Sequence, residues 1–244
     1  MSQKVSRYKD ILAALIHRGY LPNEVPPAVT GKYFATYCKD NYQYLTGEKP
    51  RLLKTSTNYD TFTAPHGING RRQLAIVHPV SQLAISLVIT EHRTKIRKII
   101  DRPEKMTLYS TDDAVVVGKA FEGLNFKKWR DLSTRLCAEN EFVLKADISR
   151  FFYTAYTHSL PWAVLGKERV KQLLSGNRAQ LERHWSHELD RALQCCQSKE
   201  TFGFPVGPDT SRIVAEILMS GVEEDREFRR LERRAISLQH ILRP

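Results

Sequence analysis

Phe142-Val143-Leu144-Lys145-Ala146-Asp147-Ile148-Ser149-Arg150-Phe151-Phe152 is an apolar run that delivers one carboxylate and then two aromatic side chains. Val, Leu and Phe with little charge predict a buried strand. A carboxylate at the end of such a strand is costly unless something pairs with it. Mg²⁺ is one such partner, because it takes oxygen ligands from one or two carboxylates together with substrate phosphates. The other reading makes Asp147 the cap of the helix that follows. Phe151 and Phe152 point opposite ways in a strand, and Phe151 is the expected core member.

Upstream of this run, Lys127 to Asn140 predicts a helix, and Thr107 to Ala120 a strand–turn–strand around Asp112-Asp113. Arg71 to Pro79 alternates and stops at a proline, which predicts a strand presenting Arg71 or Arg72 on one face. Thr55 to Gly70 is loop or hairpin. Ser81 to Ile100 is a helix with Leu83, Leu87 and Ile96 on its apolar side. Its late cluster of Arg93, Lys95, Arg97 and Lys98 suits a solvated face or a phosphate track. At the start, Tyr8 to Arg18 predicts an amphipathic helix ended by Gly19, and Tyr33 to Leu45 a second helix. Between them, Leu21 to Pro27 is held extended by its prolines.

Downstream, Leu160 to Leu174 and Arg178 to Gln194 predict two helices split at Gly176-Asn177. Gly203 to Pro208 is a rigid turn. Asp209, Thr210 and Ser211 can cap the next helix, in which Ile213, Ile217 and Leu218 face a core. After Val222 the composition changes: Glu223 to Arg234 is almost all charge, and Ala235 to Pro244 is a mixed tail.

The 244 residues are enough for one large domain or two small lobes. A formal net charge of +11 favours a polyanionic partner, nucleic acid above all. Cys38, Cys137, Cys195 and Cys196 have no metal-binding or redox spacing, which suits a reduced, cytoplasmic protein. Met1 to Leu15 is too charged for a signal peptide. No apolar run approaches the roughly 18 residues that span a membrane. Gly118-Lys119 and Gly166-Lys167 lack the upstream glycine of a phosphate loop. His184 and His187 have no third zinc ligand in view.

Asp147-Ile148-Ser149-Arg150-Phe151-Phe152 resembles the first palm motif of reverse transcriptases, and Gly203-Phe204-Pro205-Val206-Gly207-Pro208-Asp209-Thr210-Ser211 resembles the second. Their order and separation also match. Tyr156-Thr157-His158-Ser159-Leu160-Pro161-Trp162 through Gly166-Lys167 narrows the likeness. So do Gly19-Tyr20-Leu21-Pro22 with Pro26-Pro27, and Arg72 through Pro79 with Gln82. These details are similar to the bacterial abortive-infection and other defence-associated reverse transcriptases, relatives of retron and group II intron enzymes. The resemblance covers residues from about 10 to about 222.

The resemblance implies an α+β right-hand polymerase fold with a partial palm and no thumb. Residues 1–140 would be N-terminal helices and fingers, 141–222 the partial palm, and 223–244 a charged helix end and tail. It implies RNA-directed DNA synthesis by nucleotidyl transfer, in anti-phage defence, on an RNA template with a DNA primer and deoxynucleotide triphosphates. Two Mg²⁺ ions about 3.5–4 Å apart would serve that reaction. Asp147 would be a ligand, and the backbone carbonyl of Ile148 another. Phe152, five residues after Asp147, matches the position that packs under the sugar. Arg71 and Arg72 match the basic position that grips the triphosphate, where bidentate donation suits arginine. Gly203, Pro205 and Gly207 match the turn where template and nucleotide lie against backbone. Val206 stands where the wider family has Gln, and an aliphatic there fits the subgroup.

The family needs a third motif, an aromatic-x-Asp-Asp hairpin, after the second-motif helix. Ala235 to Pro244 contains no acid. Asp112-Asp113 after Tyr109 has the wrong spacing and order, and reads as an Asp-rich turn. The chain alone is therefore expected to be inactive. The alternative is a non-catalytic nucleic-acid-binding protein with a polymerase-like fold. Oligomeric state is left open.

Overall fold

The computed structural model describes residues 3–66, 70–100, 126–142 and 148–232. In chain order they form α1 (Gln3–His17), α2 (Lys32–Asp40), α3 (Tyr42–Leu52), β1 (Asp60–His66), β2 (Gly70–Ile76), α4 (Pro79–Ile100) and α5 (Phe126–Glu139). Then come α6 (Phe151–Thr154), α7 (Ser159–Leu165), α8 (Lys167–Gly176), α9 (Arg178–Glu182), α10 (Trp185–Cys195), α11 (Asp209–Glu223) and α12 (Arg226–Glu232). The arrangement is α+β, mostly helical, with β1 and β2 paired antiparallel.

Helix α4 lies at the centre. Every residue from Ser81 to Thr90 is buried, so this half is covered all round, as a helix must be when it is enclosed by others. It packs against α1, α3, α10 and α11. The one-sided pattern expected around Leu83, Leu87 and Ile96 holds only for the second half, where Thr94, Lys95 and Lys98 are exposed. Small polar residues let the first half fit. Ser81 is hydrogen-bonded to Thr57 at 2.7 Å, and Gln82 donates to Ser86 at 3.4 Å, as buried polar groups require.

A continuous cluster of buried side chains joins Ile11 of α1, Leu74 of β2, Val88 of α4, Leu189 of α10 and Ile217 of α11. Segments on both sides of residue 140 thus share one core. A second cluster ties α1 to α2 and α3 through Leu12, Ile16, Cys38 and Leu45.

Several elements differ from the sequence reading. The helix expected over Tyr33 to Leu45 breaks at Asn41, and its second part runs on through Pro50 to Leu52. Pro50 stands in the last turn, so it forfeits one backbone bond rather than a ladder of them. The helix expected over Leu160 to Leu174 divides at Gly166, whose φ of 83° favours glycine. The one expected from Arg178 to Gln194 divides at His184, which is extended and accepts the N–H of Ser186 on Nδ1. Helix α11 starts at Asp209 with Pro208 as its cap residue and no side-chain cap.

The opening stretch differs most. Phe151 to Thr154 is a helical turn, entered through Arg150 at a left-handed φ of 53°. The strand alternation expected for Phe151 and Phe152 is therefore lost. Phe152 is the core member, 5% exposed, while Phe151 is only partly buried. Phe142 is exposed. Residues 143–147 of the expected strand, Asp147 included, lie outside the described residues. So do the Thr107 to Ala120 segment with Asp112-Asp113, and the tail from 233.

Candidate functional site

The β1–β2 register sets Ala64 opposite Arg72 and Pro65 opposite Arg71. The two arginines consequently leave the hairpin on opposite faces. Arg71 is exposed, and its guanidinium donates to the Thr63 carbonyl at 2.7 Å and to the Thr63 hydroxyl at 2.7 and 3.1 Å. Arg72 is half-buried. Burial pulls its pKa below the usual guanidinium value, with Glu24 and Tyr153 opposing that and Arg212 adding to it. Arg72 thus shares its surroundings with Arg212 of α11. Arg212 pairs with Asp209 at 3.5 Å, while its buried Nε has no hydrogen-bond partner.

The Gly203–Pro208 turn is laced to the hairpin and to α6. The Ala75 N–H donates to the Val206 carbonyl at 2.8 Å. The Phe204 N–H donates to the Phe152 carbonyl, and the Gly203 N–H to that of Ala155, both at 2.8 Å. The Tyr153 hydroxyl donates to the Gln73 carbonyl at 2.6 Å. Phe152 and Phe204 meet edge to face with ring centroids 5.2 Å apart, a favoured aromatic geometry.

The segment after α1 closes the same joint. The Asp209 N–H donates to the Gly19 carbonyl at 2.8 Å, and Tyr20 donates its hydroxyl to the Val77 carbonyl. Burial pushes the Tyr20 pKa up to about 12.

Gly203 (φ 74°) and Gly207 (φ 127°) both need glycine. A Cβ on Gly203 would lie 2.8 Å from the Tyr153 carbonyl oxygen, and one on Gly207 would lie 2.5 Å from Cγ of Pro22. The chain's own backbone and Pro22 make the close approach at each position. Pro205 is buried in the same turn. Phe152 is buried beside it, its ring in the core cluster.

A cavity of about 80 Å³ remains between Tyr59, Gln73, Tyr153, Phe204 and Val206. Pockets for small molecules run to roughly 300–1,000 Å³. The joint is therefore packed, and this cavity is too small to enclose a nucleotide.

Mg²⁺ requires oxygen donors. Asp147, the expected ligand, lies outside the described residues, and Ile148 beside it is 52% exposed. Among the described residues, no three His, Cys, Asp or Glu side chains gather into a cation site. Among them too, no helix is long and apolar enough to cross a membrane.

Two residues of the joint were not singled out from the sequence. Arg212 stands three residues after Asp209 in the first turn of a helix, a spacing at which an ion pair is legible. Tyr153 carries no such signal, since its partner is a distant backbone carbonyl. No family model matches the chain, and no curated protein matches it.

Proposed function

We propose that this chain is the fingers and the opening part of the palm of an RNA-directed DNA polymerase of reverse-transcriptase type. One observation carries the reading. Gly19 to Pro22, Arg72 to Pro79, Phe151-Phe152 and Gly203 to Ser211 are far apart in sequence, yet they converge on one hydrogen-bonded joint. Those are the segments on which the resemblance to that family rests.

Phosphoryl transfer depends almost wholly on positioning and on neutralising charge. A rigid joint between a basic hairpin and the turn after Asp147 suits that need. Arg72, within electrostatic reach of Arg212, would take the triphosphate. Asp147 and the Ile148 carbonyl would hold Mg²⁺, which when bound would activate the primer hydroxyl and stabilise the departing pyrophosphate. The net charge of +11 suits an RNA template and DNA primer. Anti-phage defence in the cytoplasm is the proposed setting.

Equilibrium dialysis of labelled dGTP with the full chain in MgCl₂ tests this. Loss of a charge-assisted hydrogen bond is worth about 1.5–3 kcal/mol, so Arg72→Ala is expected to weaken binding by roughly tenfold or more. Asp147→Ala is expected to remove the Mg²⁺-dependent part. RNA binding with no effect of either substitution on dGTP would favour the non-catalytic alternative.

A further inference from the structure

The segment from Tyr156 to Lys167 has no part in the joint, yet its chemistry-bearing side chains gather on one surface. Tyr156 forms an isolated antiparallel bridge with Phe202. Around the Tyr156 ring stand His158 at 4.9 Å, Phe202 at 5.4 Å and Trp162 at 5.8 Å, centroid to centroid. Lys167 reaches over Trp162, its Nζ 5.3 Å from the ring centre. Phe202 is 68% exposed. A ring left so far in water forgoes the burial that normally stabilises an aromatic side chain.

His158 is fixed from behind. Its Nδ1 is 2.6 Å from Oδ2 of Asp190, a carboxylate whose side chain is 1% exposed. Asp190 is held in turn by Gln194 at 2.6 Å. With Nδ1 so engaged, Nε2 is the nitrogen left for a ligand, and it has no partner among the described residues. Helix α8, which supplies Lys167, also carries Arg169 and Lys171 against the single acid Glu168.

We infer that Tyr156, Phe202, Trp162, His158 and Lys167 form a stacking platform for single-stranded nucleic acid. Aromatic faces accept any base, and flanking cations follow the phosphates. Phe202 directly precedes Gly203, so a strand on this platform would run onto the turn of the joint. The inference rests on the nucleic-acid part of the function proposed above, but not on its metal or its triphosphate site.

The test is fluorescence anisotropy of a fluorescein-labelled 12-nucleotide RNA, with the full chain in 50 mM salt. Stacking of one base accounts for about fivefold to a hundredfold or more in affinity. Phe202→Ala, a truncation of an exposed ring, is expected to weaken binding about tenfold and leave the thermal midpoint in place. Lys167→Ala is expected to lower the slope of log affinity against log salt. Wild-type affinity in Phe202→Ala overturns the platform, as does failure of the wild-type chain to bind. A dimer that Phe202→Ala dissolves, without change in RNA affinity, also overturns it, because the rings would then be covering a second copy. Failure of Arg72→Ala to affect dGTP would count against the polymerase reading and leave this result standing.

Discussion

Ala75 in the β-hairpin and Val206 in the turn before α11 are joined by a backbone hydrogen bond of 2.8 Å. With it, the edge of β2 is partnered by a segment that is not a strand. An open edge has unpaired N–H and C=O groups and invites association. Here the edge is used to fix a basic hairpin against the core. The turn can serve this way because Gly203 and Gly207 hold positive φ and leave room for the Tyr153 carbonyl and for Pro22.

Gly203→Ala is accordingly expected to be costly. The new Cβ would meet a backbone oxygen at 2.8 Å, and the φ of 74° is strained for alanine. A loss of about 1–3 kcal/mol in urea unfolding is expected. Gly47→Ala is the contrast. Gly47 lies inside α3 with nothing within 4 Å of an added methyl, so a gain of about 0.5–1 kcal/mol is expected. Equal effects of the two changes would show that the turn is not the rigid element described.

Phe152→Ala is expected to cost about 3–5 kcal/mol, as removal of a buried aromatic ring does, because Phe152 is 5% exposed and meets Phe204. Phe151→Ala, at a partly buried ring, is expected to cost clearly less. Tyr153→Phe deletes only the bond to the Gln73 carbonyl and is expected to cost about 0.5–1.5 kcal/mol. Chemical denaturation of the three variants gives the ranking. Phe151 costing more than Phe152 would restore the strand reading of this segment.

That ranking shows where sequence reading succeeds and where it stops. The amphipathic α1, the hairpin strand ending before Pro79 and the turn at Gly203–Pro208 were legible, since periodicity, proline and glycine act locally. The turn at Phe151 was not. Its aromatic residues favour strands, and what overrides them is packing on Phe204, some fifty positions away. The need for glycine at 203 and 207 was legible, but the neighbours that impose it were not. The electrostatic influence of Arg212 on Arg72 likewise joins residues 140 positions apart, which no local pattern encodes.

Lys49 of α3 is a test of polar burial. It pairs with Glu91 of α4 and with Glu188 of α10 at 3.1 Å, and its side chain is 15% exposed. Lys49→Met would leave two carboxylates facing each other without their cation, where an unpaired buried charge is the larger cost. A loss of about 1–3 kcal/mol is expected. Adding Glu188→Gln to Lys49→Met is expected to recover part of it, because the remaining like-charge repulsion is relieved. A double variant less stable than Lys49→Met would refute this coupling.

The pH dependence of stability should centre on α10. Burial, with Lys95 and His92 adding to it, holds the pKa of His184 below the usual value near 6.5, and burial does the same at His187. The geometry at His184 agrees, because its Nδ1 accepts the Ser186 N–H at 3.3 Å and a protonated ring nitrogen cannot accept. As pH falls below about 6.5 the unfolded chain takes up these protons first. Stability is thus full above that value and is lost as pH drops through the lowered folded pKa values. Asp190 and Glu188 face this region and oppose the effect, whereas Arg191 and His158 add to it. Glu188 itself has a lowered pKa, the balance of burial raising it and His92 and Lys49 lowering it more. Its contribution is kept down to pH values below the ordinary glutamate range, so measurements at pH 7.5, 6.5 and 5.5 isolate the histidines. His184→Asn retains a good cap residue without titrating. It is expected to unfold in urea close to the wild-type midpoint at pH 7.5 and to lose less stability by pH 5.5. A pH profile parallel to wild type would show that His184 is not one of the groups responsible.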